Sequence, residues 1–176
     1  MGQLYNEILF TDGGCAGPNP SKIAGTWAFV RVDKSTDKIL EKRSGIITPK
    51  RVQLPAITNN LSELYAAWKA LKSLPVDWDG KIYTDSQVTL WRITDGLKFA
   101  GIPSWIETEV RQLRQNRQWT AKLLSGHPTK EDLRIGRSKR TGRPVNKWNV
   151  FCDDECNRLA RQFMEGLNSE NMAITG

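Results

Sequence analysis

At 176 residues the chain is long enough to bury one well-formed core, and nothing in its composition calls for a second domain. Its formal charge of +7 favours an acidic partner, and nucleic acid is the commonest such partner for a basic protein. No charged-then-apolar leader and no apolar run of membrane-spanning length is present, so the expectation is a single-domain cytoplasmic protein with no membrane partner.

Tyr5 to Thr11 is apolar and β-prone and runs into Asp12-Gly13-Gly14, which reads as a buried strand entering a turn that Pro18-Asn19-Pro20-Ser21 prolongs. Ile23 to Val32 and Lys38 to Ile47 read as two further strands joined by the polar Asp33 to Asp37 connection, giving three antiparallel strands in sequence. Leu61, Leu64, Tyr65, Trp68, Leu71 and Leu74 recur at helical spacing before Pro75, which predicts an amphipathic helix over Asn60 to Leu74. Lys81 to Thr84 is then a short strand. A strand, a crossover helix and a second strand form a right-handed unit with Asp12 and Asp85 at the carboxyl ends of parallel strands. The two ends are near-copies, Phe10-Thr11-Asp12-Gly13 and Tyr83-Thr84-Asp85-Ser86.

Helices are expected over Ser86 to Arg92 and Ser104 to Asn116, and a last strand over Trp119 to Leu124. Lys130 to Lys147 has little periodicity and reads as a loop or flexible arm. A closing helix from about Asn149 to Leu167 carries Cys152, Cys156, Leu159, Ala160 and Phe163 on its inner face. Cys152 and Cys156 share that face without a second pair, so they read as small buried hydrophobes rather than metal ligands, and Cys15 stands alone. Trp27, Trp68 and Trp105 fall at core positions, leaving Trp91 and Trp148 for base stacking.

Four acids stand out. Each has an ordinary structural explanation: Asp12 before Gly-Gly as a turn former, Glu63 in an Asn60 to Glu63 capping box, Asp85 as a helix cap, and Asp153 as a first-turn acid. Together they require two acids on neighbouring strand ends, one on the crossover helix and one on the last helix, a conjunction rarer than its parts. Gathered by the fold, they form a carboxylate cluster for hard divalent cations. A pair of such cations about 3.5–4 Å apart can hold the attacking and leaving oxygens of a phosphodiester displacement.

The segments Thr11-Asp12-Gly13-Gly14-Cys15 with Gly17, Thr58-Asn59-Asn60-Leu61-Ser62-Glu63-Leu64 with Ala66-Ala67, and Tyr83-Thr84-Asp85-Ser86-Gln87 resemble ribonuclease H of type 1, the bacterial and eukaryotic class. Ser125-Gly126-His127-Pro128 and Asn149-Val150-Phe151-Cys152-Asp153 resemble its closing blocks, in the family's order. The resemblance implies an α/β RNase H-like fold, a mixed five-stranded sheet with helices on both faces. It implies an endoribonuclease that hydrolyses the RNA strand of RNA–DNA hybrids with two magnesium ions, manganese substituting, and leaves 5′-phosphate and 3′-hydroxyl ends. Asp12, Glu63, Asp85 and Asp153 are then the metal-binding and catalytic carboxylates. His127, the only histidine, is the mobile-loop residue that helps move protons or release product. Gly13, Gly14, Asn19, Asn59, Asn60 and Gln87 are the candidates to read 2′-hydroxyls in the hybrid's minor groove.

The chain departs from the family pattern in three places. The last motif also fits a second frame that puts Asn157 at the fourth position, with Asp154 as a third candidate. The basic helical handle many bacterial members carry after the third acid is missing, since Leu90 to Pro103 is short. The arm at about 129–147 is longer than usual; from Lys130 to Lys147 it holds seven basic residues against Glu131 and Asp132, a net +5, which suits it to grip backbone phosphates. The rival functions are another nuclease or resolvase of the same broad fold, and a non-catalytic hybrid-binding module. A monomer is expected.

Overall fold

The computed structural model describes residues 2–96 and 98–175, with side chains described as far as residue 170; Leu97, within the segment read as lacking a handle, lies outside them. Strand β1 (Glu7–Ala16) pairs antiparallel with β2 (Ala24–Asp33), which pairs antiparallel with β3 (Ile39–Ile47). A short helix α1 (Pro49–Val52), unforeseen in the sequence, leads to α2 (Asn59–Lys72), and β4 (Lys81–Thr84) then lies parallel to β1. Helices α3 (Gln87–Thr94) and α4 (Ser104–Gln115) precede β5 (Thr120–Leu123), α5 (Lys130–Ile135) and the long α6 (Lys147–Thr175). The sheet order is β3-β2-β1-β4-β5, the mixed five-stranded arrangement expected from the sequence.

The strand alternation divides the core. Leu9, Trp27 and Phe29 join the larger cluster under α2, α3 and α4, whereas Phe10, Ala28 and Val30 join a smaller one that contains Cys152 and Cys156 of α6. The helices therefore cover both faces. Both thiols are buried and donate to strand carbonyls, Cys152 to Phe10 and Cys156 to Asp12, each at 3.6 Å, in keeping with a packing role. Trp27 and Trp68 are core, and Trp105 packs against them.

Two local expectations are corrected. Asp12-Gly13-Gly14 is not a turn: β1 continues to Ala16, with Asp12 opposite Ala28 and Cys15 opposite Gly25. Pairing along β2 overrides the turn preference of an Asp-Gly-Gly sequence, and the glycines serve close approach instead. A Cβ on Gly13 would lie 2.3 Å from the backbone carbon of Ser62, so only glycine lets the first turn of α2 rest on β1. Nor are the residues 130–147 irregular throughout, since α5 takes up Lys130–Ile135. Thr129 and Asp132 form a reciprocal capping box that starts α5. Arg137 and Pro144 bridge, and the Ser125 N–H donates to the Pro144 carbonyl at 2.9 Å, fastening the arm to the end of β5.

Substituting Gly13→Ala is expected to lower stability by roughly 3 kcal/mol, the upper end of overpacking costs. Gly166→Ala on α6, where an added Cβ meets nothing within 4 Å, is expected to raise it by roughly 0.5–1 kcal/mol. Urea melts of the two variants beside the unsubstituted protein check both signs.

Candidate active site

Asp12 sits where β1 passes the end of β4. The register sets Phe10 opposite Tyr83, so Asp12 and Asp85, two residues further along each chain, reach the same end of the sheet. Glu63 arrives from the first turns of α2. That helix is capped by the Thr58 hydroxyl accepting from the Leu61 N–H at 3.1 Å, so the Asn60 to Glu63 capping box does not form and Glu63 keeps its carboxylate free of the backbone. Similarly, α3 is capped by Ser86, which accepts from Thr89 N–H, leaving Asp85 unused as a cap.

Oxygens of Asp12, Glu63 and Asp85 lie within 4.8 Å of one another. Asp12 is buried, at 4% exposure, and the Gly13 N–H donates to its Oδ1 at 2.9 Å. Oε2 of Glu63 is sealed from solvent without a hydrogen-bond partner. A buried carboxylate oxygen left unpartnered is costly, and a hard cation is the partner that such an all-oxygen donor set fits. Burial, then the neighbouring Asp85, holds the Asp12 carboxyl well above the ordinary carboxylate range; burial, then Asp12 and Asp85, does the same to Glu63. Burial also raises Asp85, opposed by the His127 imidazole and reinforced by Asp153.

Asp153 lies outside that tight trio but lines the same hollow of roughly 300 Å³, with its Oδ2 3.6 Å from Nδ1 of His127. The two frames considered for the last motif turn out to share a face. Asp153 and Asn157, one helical turn apart, both line the hollow, while Asp154 is exposed and does not. His127 is 79% exposed and holds a left-handed backbone, φ 51°, unusual for a non-glycine residue. At the preceding Gly126 an added Cβ would lie 2.5 Å from Oδ2 of Asp85 and would push on that carboxylate.

Gly13, Gly14, Asn19 and Asn59 also line this hollow, and Asn60 lines an adjoining one, whereas Gln87 lines neither. Asn19 is tied to the start of α2, its Oδ1 accepting from the Asn59 N–H at 3.1 Å. Sequence reasoning missed Asn149 as a site residue. Buried at the start of α6, it donates to Oδ2 of Asp85 at 3.4 Å, a contact foreshadowed by the spacing Asn149-x-x-Cys152-Asp153 on one helical face. Of the two tryptophans kept for stacking, Trp91 is 41% exposed, while the Trp148 indole N–H donates to Asp37 at 2.7 Å and its ring packs on Phe151.

The family model for RNase H matches residues 5–136, a span that includes Asp12, Glu63, Asp85 and His127 and ends before Asp153. The ribonuclease H of Thermus thermophilus is 30% identical over 140 residues, covering 79% of this chain and 76% of its own. That of Chlorobium phaeobacteroides is 33% identical over 157 residues, covering 88% and 92%. Among solved structures, the N-terminal RNase H domain of a Mycobacterium tuberculosis protein superposes with a TM-score of 0.63 at 13% identity, covering 92% of this chain and 97% of that one. The fold is thus shared where sequence identity is low.

A carboxyl whose pKa is raised by folding binds its proton more tightly folded than unfolded. In the metal-free protein the stability that these three carboxyls contribute is therefore fully present below the ordinary carboxylate range near about pH 4 and is lost as pH rises through the raised values. Asp12→Asn removes one of the crowded charges and is expected to raise the melting temperature at pH 8 in EDTA by a few degrees, with the gain shrinking toward pH 4. No gain at pH 8, or a gain of the same size at pH 4, would contradict the crowding.

Proposed function

The chain belongs to the RNase H family and is a nuclease, and from that premise we propose that it hydrolyses the RNA strand of RNA–DNA hybrids endonucleolytically with two divalent cations, leaving 5′-phosphate and 3′-hydroxyl ends. The observation that carries this reading is the trio of carboxylates from β1, α2 and the end of β4, with oxygens within 4.8 Å, in a family member. Asp12, Glu63, Asp85 and Asp153 hold the cations, magnesium by preference and manganese as a substitute. Bound cations of this kind supply Lewis acidity toward a phosphodiester and a water deprotonated near neutral pH.

The protein's own groups set up the displacement. Water attacks phosphorus, the bond from phosphorus to the 3′-oxygen breaks, and that oxygen leaves as a hydroxyl after gaining a proton. His127, exposed at the rim with Nδ1 toward Asp153, has its other ring nitrogen available to carry that proton or to escort the product outward. Asn149 steadies the Asp85 carboxylate. The rim groups Gly13, Gly14, Asn19, Asn59 and Asn60, and Gln87 at the start of α3, read 2′-hydroxyls across the wide minor groove of the hybrid. Asp153 is the fourth acid, because Asp154 faces solvent and Asn157 offers only a neutral amide.

Hybrid cleavage in magnesium is expected to fall by at least about 10³-fold in Asp12→Asn and Asp153→Asn, an order typical of lost electrostatic catalysis. Asp154→Asn and Asn157→Ala should keep most activity, and EDTA should abolish it in all. Duplex DNA and a four-way junction, assayed alongside, should remain uncut; junction cleavage without hybrid cleavage would replace this reading with a resolvase.

A further inference from the structure

Beside the carboxylate hollow lies a second of roughly 330 Å³, and the two share Asn59, Glu63, Asp85 and His127. Its far wall comes from the arm: Arg140, Thr141 and Arg143. We propose that Arg140 and Arg143, set by the backbone around Thr141, form a phosphate-binding subsite for the cleaved strand immediately beside the scissile phosphate, on the Asn60 and Ser86 side of the acids. The proposal rests on the hybrid-cleaving function above and adds to it a substrate contact made by the arm.

Of the arm's basic residues, Lys130, Lys139, Arg140 and Arg143 have no carboxylate within ion-pair distance among the described residues, and of these four only Arg140 and Arg143 line the hollow. Arg134 is occupied by Glu131 at 2.6 Å, Lys147 pairs with Asp37, and the Arg137 guanidinium donates to the Gly142 carbonyl. Asp132 is spent on backbone, accepting from the Thr129 and Lys139 N–H groups at 3.1 Å each. Among the described residues neither Arg140 nor Arg143 has an acidic partner, and both are exposed. Arg31, Arg43, Arg111 and Arg158, in contrast, each meet a carboxylate.

Two exposed guanidiniums without a carboxylate partner are free to take an anion, and a nucleic-acid strand carries one charge about every 3.4 Å along its axis. The planar donor fork of arginine matches phosphate oxygens two at a time. The turn that presents them is fixed before any ligand arrives: Ser138 N–H donates to the Arg143 carbonyl at 2.9 Å, Gly142 N–H to the Ser138 carbonyl at 2.8 Å, and Arg143 N–H to the Thr141 hydroxyl at 3.2 Å. The backbone ordering cost of binding is thereby met within the fold, leaving that of the two side chains. Because Glu63 and Asp85 line the same hollow as the arginines, the phosphates that the arginines grip belong to the strand being cut rather than to its complement.

The test is equilibrium binding of a fluorescent RNA–DNA hybrid to Asp12→Asn protein, with and without Arg140→Ala/Arg143→Ala, across a salt series. The double substitution is expected to weaken binding about tenfold near 100 mM salt and to flatten the slope of log Kd against log salt by about 1.5, the share of two phosphates. Arg140→Lys/Arg143→Lys should keep the slope and lose part of the affinity. In the otherwise unsubstituted enzyme the double Ala variant should raise KM with kcat within about twofold. Neutral methylphosphonates placed singly along the RNA strand should reproduce the loss at one or two adjoining positions and have no further effect there in the double Ala variant. Unchanged affinity and slope, or methylphosphonate sensitivity matched on the DNA strand instead, overturns the subsite while leaving hybrid cleavage standing. Loss of hybrid cleavage in the unsubstituted protein would instead count against the function itself.

Discussion

The first turn of α2 rests on β1 at Gly13 with no room for a Cβ between them, and the candidate site depends on that approach. It brings Glu63 beside Asp12, and the parallel pairing of β1 with β4 brings Asp85 to the same point. The result is electrostatically unfavourable for the protein alone, since each carboxyl resists ionising next to the others. What opposes that cost is the core beneath. Leu61, Leu64, Ala66, Ala67 and Ala70 of α2 are fully buried, and each buried leucine alone stabilises by about 1.5–3 kcal/mol. Tyr65 and Trp68 meet edge to face at 5.1 Å, and Trp68 meets Trp105 likewise at 5.4 Å, so the helix cannot withdraw without breaking an aromatic chain. Apolar burial on this scale outweighs the crowding of three acids, which a divalent cation then relieves.

The second layer of the site follows from α6. Its Cys152 and Cys156 pack on Phe10 and Asp12 of β1, and that contact turns Asn149 and Asp153, each three residues before one of these cysteines, toward the acids. Small thiols matter here for their size. A larger side chain at either position would lift the helix from the strand and carry Asp153 away. The arm is fastened to the same region through Ser125 and Pro144, so its arginines keep a fixed relation to Gly126, His127 and Asp85.

Much of this was legible in the residues, for reasons that differ by element. The near-continuous apolar run of Ala24–Asp33, buried on both faces, and the period-3.6 spacing in Asn59–Lys72 are strong because the core demands them, and both elements appear within two residues of expectation. Asp12, Glu63 and Asp85 come together because the crossover from β1 through α2 to β4 carries all three to the end of β4. Asp12-Gly13-Gly14 was misread as a turn since local composition cannot register pairing with β2 or the close passage of α2. The helix at Lys130–Ile135 was missed because it is short, has no apolar stripe and is stabilised by side chains bonding to backbone, which hydrophobic periodicity does not detect. Asp153 and Asn157 looked like competing assignments along the chain, yet a helix shows both to one hollow.

If crowding by the fold is what prepares the acids for a cation, binding of that cation must expel protons. Calorimetric titration with manganese in two buffers of different ionisation enthalpy counts them directly. The expected result is net proton release that grows as pH falls from about 8 toward 6 and is reduced in Asp12→Asn. Cation binding with no proton release at any pH in that range would contradict the crowded, proton-retaining cluster on which the whole reading of the site rests.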